Sequence, residues 1–496
     1  MKERSIELTP DNKNLKPDLA TNAFWRSMTL VIKLFFQMFT LIVLSRILPV
    51  EVFGKLAYAM VFINFMSMAA RFGVTPAIIQ KPVLNEAFLR AGFTLALIFG
   101  LTASAGIYFS ASLFSTDGET VGLIQLISLT FICYGIGCVS EGQLIRDFNF
   151  RAIFFVELAA FFLGYTCLSI GMAMAGYGVW SLGAAAVATA FIRAILMLVA
   201  KKKWILPSWS PDEFRDLLKF GSGVTLSAFM YFFSQNLDYF ITGKLLGDEA
   251  LAYYSRAKHM VSIPTQIING TAYALLLSAF SRLNSDRSQL KQLYLSSAAT
   301  VAVPTIAVSV MLILIAPELV VVFFGQQWEH SAIPLQILAF NGFFALYTIG
   351  DALFVSQRKL RWQITSQTIF AVSVGLMAFA GTQWGIHGVA IGVLISTGAC
   401  YAYVSVMSMR IVGGSLLEFI KSQLPAFVLA AALIVTGTAT RRVLVGYNIP
   451  DWLLLASMIV LTLVVVIGLL FSPLKLFEQH KKLVVEQLRR RIKYFN

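Results

Sequence analysis

The chain has 496 residues, of which 58% are hydrophobic and only 13% are charged. Soluble domains carry about 25% charged residues, so the composition excludes a soluble globular protein. The mean hydropathy of +0.76 instead indicates an integral membrane protein built from helices. The net charge of +14 bears first on topology in such a protein, because cytoplasmic loops collect Lys and Arg.

Fourteen apolar stretches are candidates for membrane-spanning helices, each needing about 20 residues. They lie near 24–46, 54–70, 91–114, 121–141, 153–174, 179–200, 220–243, 250–275, 293–316, 332–356, 363–381, 386–408, 420–438 and 452–472. The second stretch is short and the thirteenth is a weak candidate, so twelve spans are an alternative. The sequence therefore predicts an all-α polytopic membrane protein.

Positive charge alternates from loop to loop along this map. Every second loop is basic, whereas the intervening loops hold only Lys55, Lys244, Arg441 and Arg442. Since Lys and Arg mark the cytoplasmic side, we expect both termini in the cytoplasm. After Pro473, apolar residues recur at helical spacing opposite a run of Lys and Arg. This tail is typical of an amphipathic helix that binds anionic membrane lipid.

Two segments about 200 residues apart resemble each other. RILPVEVFGKLAYAM begins at Arg46 and KLLGDEALAYYSRAK begins at Lys244, and GVWSLG at Gly178 is matched by GIHGVA at Gly385. This offset carries helices 1–6 onto helices 7–12 in the same orientation, which predicts two six-helix lobes related by a pseudo-two-fold axis. The predicted organisation is a cytoplasmic polar tail at 1–21, an N-lobe at 22–200, an inter-lobe connector at 201–219, a C-lobe at 220–411, helices 13 and 14 at 412–473, and a basic amphipathic cytoplasmic tail at 474–496.

Five motifs, in this order, resemble the bacterial polysaccharide exporter family. They are ARFGVTPAIIQK from Ala70, RDFNFR from Arg146, GYGVWSL from Gly176, QNLDYFITGKLLG from Gln235 and YYSRA from Tyr253. The family comprises Wzx-type flippases of the multidrug/oligosaccharidyl-lipid/polysaccharide superfamily, and the resemblance runs from about residue 22 to 410. It implies translocation of undecaprenyl-pyrophosphate-linked oligosaccharides from the cytoplasmic to the periplasmic leaflet of the bacterial inner membrane, for exopolysaccharide, capsule or O-antigen biosynthesis.

Charged residues inside the predicted spans are costly to insert, so each is a candidate functional site. Steps of seven and four place Arg26, Lys33 and Gln37 of helix 1 on one stripe, with Lys33 about 13 Å from the cytoplasmic end. An excess of positive charge suits a pyrophosphate. The predicted substrate-binding residues are Arg26, Lys33, Gln37, Arg256 and Lys258.

Four further residues are candidates for ion coupling or for structural ion pairs: Asp238, Asp351, Glu157 and Arg193. Matching depths on neighbouring helices predict that Glu157 pairs with Arg193 and that Asp238 pairs with Arg256. No partner is evident for Lys33 or Lys258. Asp351 could be either a coupling-ion carboxylate or half of a structural pair, and the sequence does not choose between them.

Other functions fit the residues less well. A cation or multidrug exporter would need an acidic cavity, a membrane glycan polymerase or ligase would need a large outer loop, and a scaffold would not need buried charges. The four cysteines and four histidines show no metal-ligand spacing, so we predict no metal, no cofactor and no catalytic residue. Expected partners are the lipid-linked oligosaccharide, anionic lipid and a glycan polymerase, with no nucleic acid, and the chain is expected to be a monomer.

Overall fold

The computed structural model describes residues 15–71, 73–81, 83–201, 206–283, 286–447 and 449–471. Over these ranges the chain is helical and contains no strand. The predicted all-α class is therefore confirmed. The predicted amphipathic tail at 474–496 and most of the polar tail at 1–21 lie outside the described residues.

The chain divides into two compact units, Met1–Asn236 and Leu237–Asn496. The first unit contains α1 (Leu15–Ile47), α2 (Val50–Arg71), α3 (Val74–Gln80), α4 (Glu86–Phe114), α5 (Gly118–Ser128), α6 (Thr130–Arg146), α7 (Phe150–Ala159), a π-helical segment (Ala160–Cys167), α8 (Leu168–Met174), α9 (Val179–Lys201) and most of α10 (Pro211–Leu246). Because the division falls inside α10, it lies beyond the connector predicted at 201–219. The predicted domain limits and the symmetry axis stay predictions.

The second unit begins within α10 and continues to the end of the described chain. It contains α11 (Asp248–Arg282), α12 (Arg287–Phe324), a 3-10 turn (Gln326–Ser331), α13 (Ala332–Ala339), α14 (Asn341–Phe344), α15 (Tyr347–Ser356), α16 (Leu360–Gly381), a 3-10 turn (Thr382–Trp384), α17 (Gly385–Val412), α18 (Leu416–Ser422), α19 (Leu424–Gly446) and α20 (Asp451–Leu470).

Twelve stretches of the described chain are long and apolar enough to cross a membrane. One of them, Leu360–Val412, contains both α16 and α17 and so covers two predicted spans. The span predicted at 220–243 lies in α10, where the side chains of 220–231 lie outside the description. The chain is thus a multi-pass membrane protein, and a count of fourteen is consistent with the helices without being established.

Short polar turns connect the helices and satisfy their exposed ends. The Asp117 carboxylate accepts a hydrogen bond from the backbone N–H of Thr120 and so caps α5. Lys55 approaches the same carboxylate at 2.9 Å and Glu119 at 2.6 Å. Hydrogen bonds from Thr120 and Lys55 lower the pKa of Asp117 to about 2. This turn therefore holds the ends of α2 and α5 together by charge as well as by capping.

Glycines let α4 and α6 approach to backbone contact. A Cβ atom at Gly100 would lie 2.7 Å from the Phe131 carbonyl oxygen, and one at Gly135 would lie 2.6 Å from that of Ala96. Small residues at such crossings are typical of membrane helices, whose association depends on close packing. The pair α4–α6 thereby forms the closely packed centre of the first unit.

We expect Gly100→Ala to destabilise the protein by about 1–3 kcal/mol, because the added methyl overpacks a fixed backbone contact. Gly106→Ala on the same helix is the matched control, since nothing lies within 4 Å of the position its Cβ would take. Thermal unfolding of the purified chain in detergent measures both. Equal unfolding temperatures for the two variants would show that the close approach of α4 and α6 is wrong.

Candidate functional site

Four charged side chains from four helices meet in the first unit. Arg193 of α9 donates through Nε to Glu157 of α7 and through Nη2 to Glu141 of α6, both at 2.7 Å. Lys33 of α1 lies 3.3 Å from the other oxygen of Glu157. The contact between Glu157 and Arg193 expected from their depths is therefore present, and Glu141 and Lys33 extend it into a network.

This network is electrically balanced, with two cations and two carboxylates. The network itself therefore carries no excess of positive charge, and Lys33 does have a partner. Depth alone did not reveal the contact between Lys33 and Glu157, because α1 and α7 are far apart in the sequence and were not expected to be neighbours. The two ends of the contact differ in accessibility: the Lys33 side chain is 38% exposed and that of Glu157 only 6%. Lys33 is therefore a group of this network that a ligand can reach.

A π-helical segment begins three residues after Glu157, at Ala160, and positions residues around Lys33. The Lys33 ammonium lies 4.8 Å from the centre of the Phe161 ring, within this segment. Thr166 of the segment is hydrogen-bonded to Thr40 of α1 at 2.8 Å, and a Cβ at Gly164 would lie 2.7 Å from the backbone of Thr189. The segment is thus fixed to both α1 and α9. Insertions of this kind into a helix often accompany functional sites.

A second buried carboxylate, Asp238, organises the charges of the second unit. Its Oδ2 atom accepts hydrogen bonds from the Tyr254 hydroxyl at 2.5 Å and from Lys258 Nζ at 2.6 Å. Only 1% of the Asp238 side chain is exposed, compared with 23% of Lys258. The Lys258 ammonium also lies 4.5 Å from the centre of the Tyr239 ring.

The contact between Lys258 and Asp238 was not expected from depth, and the pairing of Asp238 with Arg256 stays a prediction. Residues 254 and 258 are four apart and share one face of α11, whereas residue 256 is rotated about 200° from 254 at 100° per residue. Arg256 is buried, with its guanidinium 4.5 Å from the Trp328 ring and 5.0 Å from the Phe324 ring. Cation–π contacts of this kind hold a guanidinium in a fixed position.

Asp351 lies apart from both clusters and is held by neutral groups. The hydroxyl of Ser366 lies 3.2 Å and the amide of Gln367 lies 3.4 Å from its carboxylate oxygens, and the side chain is buried. Within the ranges that the structure describes, no cationic side chain forms an ion pair with Asp351. The structural-pair alternative therefore has no observation behind it, and the ion-coupling alternative stays a proposal.

The other predicted site residues lie on α1. Gln37 is half-buried one turn from Lys33, and Arg26 is exposed near the start of the span. The structure thus brings Lys33, Glu157 and Arg193 together and leaves Gln37 and Arg26 outside their contacts. Sequence reasoning missed Glu141 as a network member. Its depth on α6, close to that of Arg193 on α9, is the signal that could have included it.

Comparison with known proteins identifies the family. A family model described as "Polysaccharide biosynthesis protein" matches residues 43–333, which is more than half of the chain. The chain belongs to this family. It is 23% identical over 451 residues to the lipopolysaccharide biosynthesis protein WzxC of Escherichia coli, covering 87% of this chain and 89% of that protein. It is 25% identical over 305 residues to the succinoglycan biosynthesis transport protein ExoT of Rhizobium meliloti, covering 61% and 62%.

Solved structures share the fold of this family member. The lipid II flippase MurJ in an inward closed conformation matches with a TM-score of 0.71 at 13% identity, over 90% of this chain and 98% of that one. An inward-facing multidrug transporter of the MATE family matches with a TM-score of 0.64 at 17% identity, over 79% and 98%. At these identities the likeness shows the fold alone. The resemblance noted in the motifs and the family match agree.

Asp238→Ala should lower the amount of folded protein, and adding Lys258→Ala should partly restore it. Removing one member of a buried pair leaves an uncompensated charge, whereas removing both does not. Asp238→Ala with Lys291→Ala is the control and should not recover, because Lys291 pairs with Glu418. Detergent-extracted protein, quantified by fluorescence-detected size-exclusion chromatography, reports the outcome. No recovery on adding Lys258→Ala, or equal recovery with the control, would contradict the assignment.

Arg193→Ala should destabilise the first unit far more than Lys33→Ala, because Arg193 holds two carboxylates and Lys33 is partly exposed. Loss of a partner in a buried pair costs about 3–5 kcal/mol, which is the size expected for Arg193→Ala. The comparison requires unfolding temperatures of both variants in the same detergent. A Lys33→Ala variant as unstable as Arg193→Ala would mean that Lys33 is a structural residue rather than a free ligand group.

Proposed function

We propose that the chain is a flippase that moves undecaprenyl-pyrophosphate-linked oligosaccharide repeat units from the cytoplasmic to the periplasmic leaflet by alternating access. The observation that carries the proposal is Lys33, whose side chain is 38% exposed within the span Phe24–Ile47 while its carboxylate partner Glu157 is buried. Membership of the polysaccharide biosynthesis family supports it. The similarity to proteins named for lipopolysaccharide biosynthesis and succinoglycan transport supports the proposal as well.

The exposed ammonium groups are suited to a diphosphate. Lys33 in the first unit and Lys258 in the second both keep an accessible ammonium while a buried carboxylate holds them in place. Ammonium and guanidinium groups bind phosphate oxygens by charge-assisted hydrogen bonds. In the first unit we assign Lys33 as a group that binds phosphate oxygens, and Gln37 as a hydrogen-bonding group for the diphosphate or for the first sugar. In the second unit we assign Lys258 and the buried Arg256 to the same role.

The electrostatics of exchange favour reversible binding. When a diphosphate oxygen binds the Lys33 ammonium, Glu157 remains hydrogen-bonded to the Arg193 guanidinium at 2.7 Å, so its negative charge stays compensated. Lys33 can therefore change partners at small cost, and the return of Lys33 to Glu157 assists release. Because the cell interior is negative, outward movement of the anionic headgroup releases about 2.3 kcal/mol per charge per 100 mV.

Coupling to an ion is proposed at Asp351. A buried carboxylate that is bound only by neutral donors is a group able to take up a cation or a proton, whereas Asp238 is already paired with Lys258. The proposal places the chain in the bacterial inner membrane with both termini in the cytoplasm. It describes a transporter rather than an enzyme, and export of cationic drugs is disfavoured because the half-exposed charges are ammonium groups.

Lys33→Ala and Arg256→Ala should each lower polymer export more than about tenfold, since a charge-assisted hydrogen bond contributes about 1.5–3 kcal/mol. Both variants should still be found in the membrane. The assay is complementation of a strain whose own copy is deleted, with surface polymer and membrane protein quantified together. Lys33→Arg, which keeps the charge, should retain most of the export.

Lys291→Ala is the matched control for loss of a lysine. Lys291 also pairs with a carboxylate, at 2.8 Å from Glu418, but it lies at a helix end outside the apolar core of its span. We expect it to export normally. Normal export by both Lys33→Ala and Arg256→Ala would overturn the assignment of a cationic substrate site.

A further inference from the structure

Two arginines and two aromatic rings pair crosswise between α1 and α7. The Arg26 guanidinium lies 5.9 Å from the centre of the Phe150 ring, and the Arg151 guanidinium lies 5.8 Å from that of Trp25. Trp25 in turn packs against Phe154 at 5.1 Å. We call Trp25, Arg26, Phe150 and Arg151 the arginine–aromatic patch. Its geometry holds two cations beside each other on neighbouring helices.

The two arginines of the patch carry uncompensated charge. Both side chains are exposed, and neither has a carboxylate partner in the ranges that the structure describes. The nearest acidic residues along α6 and α7 are already engaged: Asp147 pairs with Lys201, and the buried Glu157 pairs with Arg193. The patch therefore carries a local charge of +2 at the protein surface, and an anion is the complementary ligand.

The patch lies near the start of α7, at a different depth from Lys33, and this position suits contact with lipid headgroups. Arg151 is the second residue of α7, about 1.5 Å from its start at 1.5 Å per residue, and Arg26 lies beside Phe150 at the same level. Lys33 is seven residues, or about 10 Å, further along α1. Phe24 and Phe155 flank the patch and are 55% and 50% exposed. Exposed aromatic residues of this kind are typical of the membrane–water interface.

We propose that the arginine–aromatic patch binds the phosphate of an anionic phospholipid in the cytoplasmic leaflet. Each guanidinium offers a planar fork of donors to phosphate oxygens, and the rings hold both forks in place. None of the four side chains of the patch can accept a hydrogen bond from a sugar hydroxyl, which favours a phospholipid over the lipid-linked oligosaccharide. The inference goes beyond the proposed function. It assigns to Arg26 a ligand different from the transported one, at a site separate from the tail at 474–496.

The test is cross-linking of the full chain to a photoactivatable phosphatidylglycerol in detergent, with cross-linked peptides mapped by mass spectrometry. We expect labelling of peptides around residues 24–35 and 150–160, and at least about fivefold less labelling there with a phosphatidylcholine probe of the same chains. Arg26→Gln with Arg151→Gln should reduce the labelling by phosphatidylglycerol to the phosphatidylcholine level. Labelling elsewhere in the chain should be unchanged.

Arg358→Gln with Arg361→Gln is the charge-matched control, because it removes two exposed arginines from the second unit. It should leave labelling at the patch unchanged. If the doubly substituted patch does not fold, the single variants Arg26→Gln and Arg151→Gln replace it, with an intermediate loss expected. Undiminished labelling of a folded patch variant, equal labelling by phosphatidylcholine, or no labelling of the patch by phosphatidylglycerol would each overturn the proposal. None of these outcomes bears on polymer export.

Discussion

A charge placed inside a membrane protein must be met by an opposite charge or by water, because an isolated one is too costly to bury. Arg193 shows how the first unit satisfies this constraint. Its guanidinium binds carboxylates from two other helices, so α6, α7 and α9 are joined at one point. The two donated bonds come from different nitrogens of one planar group, which fixes the direction of each helix relative to α9. An arginine suits this position better than a lysine, whose ammonium has no such planar geometry.

The same constraint produces one recurring arrangement in the two units. In each, a lysine keeps part of its side chain exposed while its carboxylate partner is buried: Lys33 with Glu157, and Lys258 with Asp238. A second fixed group then supports the carboxylate, Arg193 in the first unit and Tyr254 in the second. The buried carboxylate therefore fixes the position of the ammonium, and part of the lysine side chain stays accessible to a ligand. This is the property that a reversible binding site for an anion requires, and it arises from packing rather than from a net positive field.

Hydrophobic runs and loop charges were enough to predict the fold class, since spans and loops follow directly from the cost of burying polar groups. Depth along a helix also predicted that Glu157 meets Arg193. It did not reveal that Lys258 contacts Asp238, because depth ignores which face of α11 a residue occupies, and a step of two residues turns a side chain to nearly the opposite face. The π-helical segment had no signal in the sequence, because apolar runs such as AFFLGYTC fit an α-helix equally well.

The helices after residue 412 show how the constraint extends beyond the part of the chain that the family model matches. The match ends at residue 333, yet α19 and α20 both pack on α12 within it. Arg441 of α19 donates two hydrogen bonds to Glu318 of α12, at 3.1 and 2.7 Å, and the Glu318 side chain is only 7% exposed. Without Arg441, the Glu318 carboxylate would lie buried without the cation it binds. The C-terminal helices are therefore not an independent addition: α12 carries a charge that only their arginine satisfies in the described structure, and the two parts must fold as one.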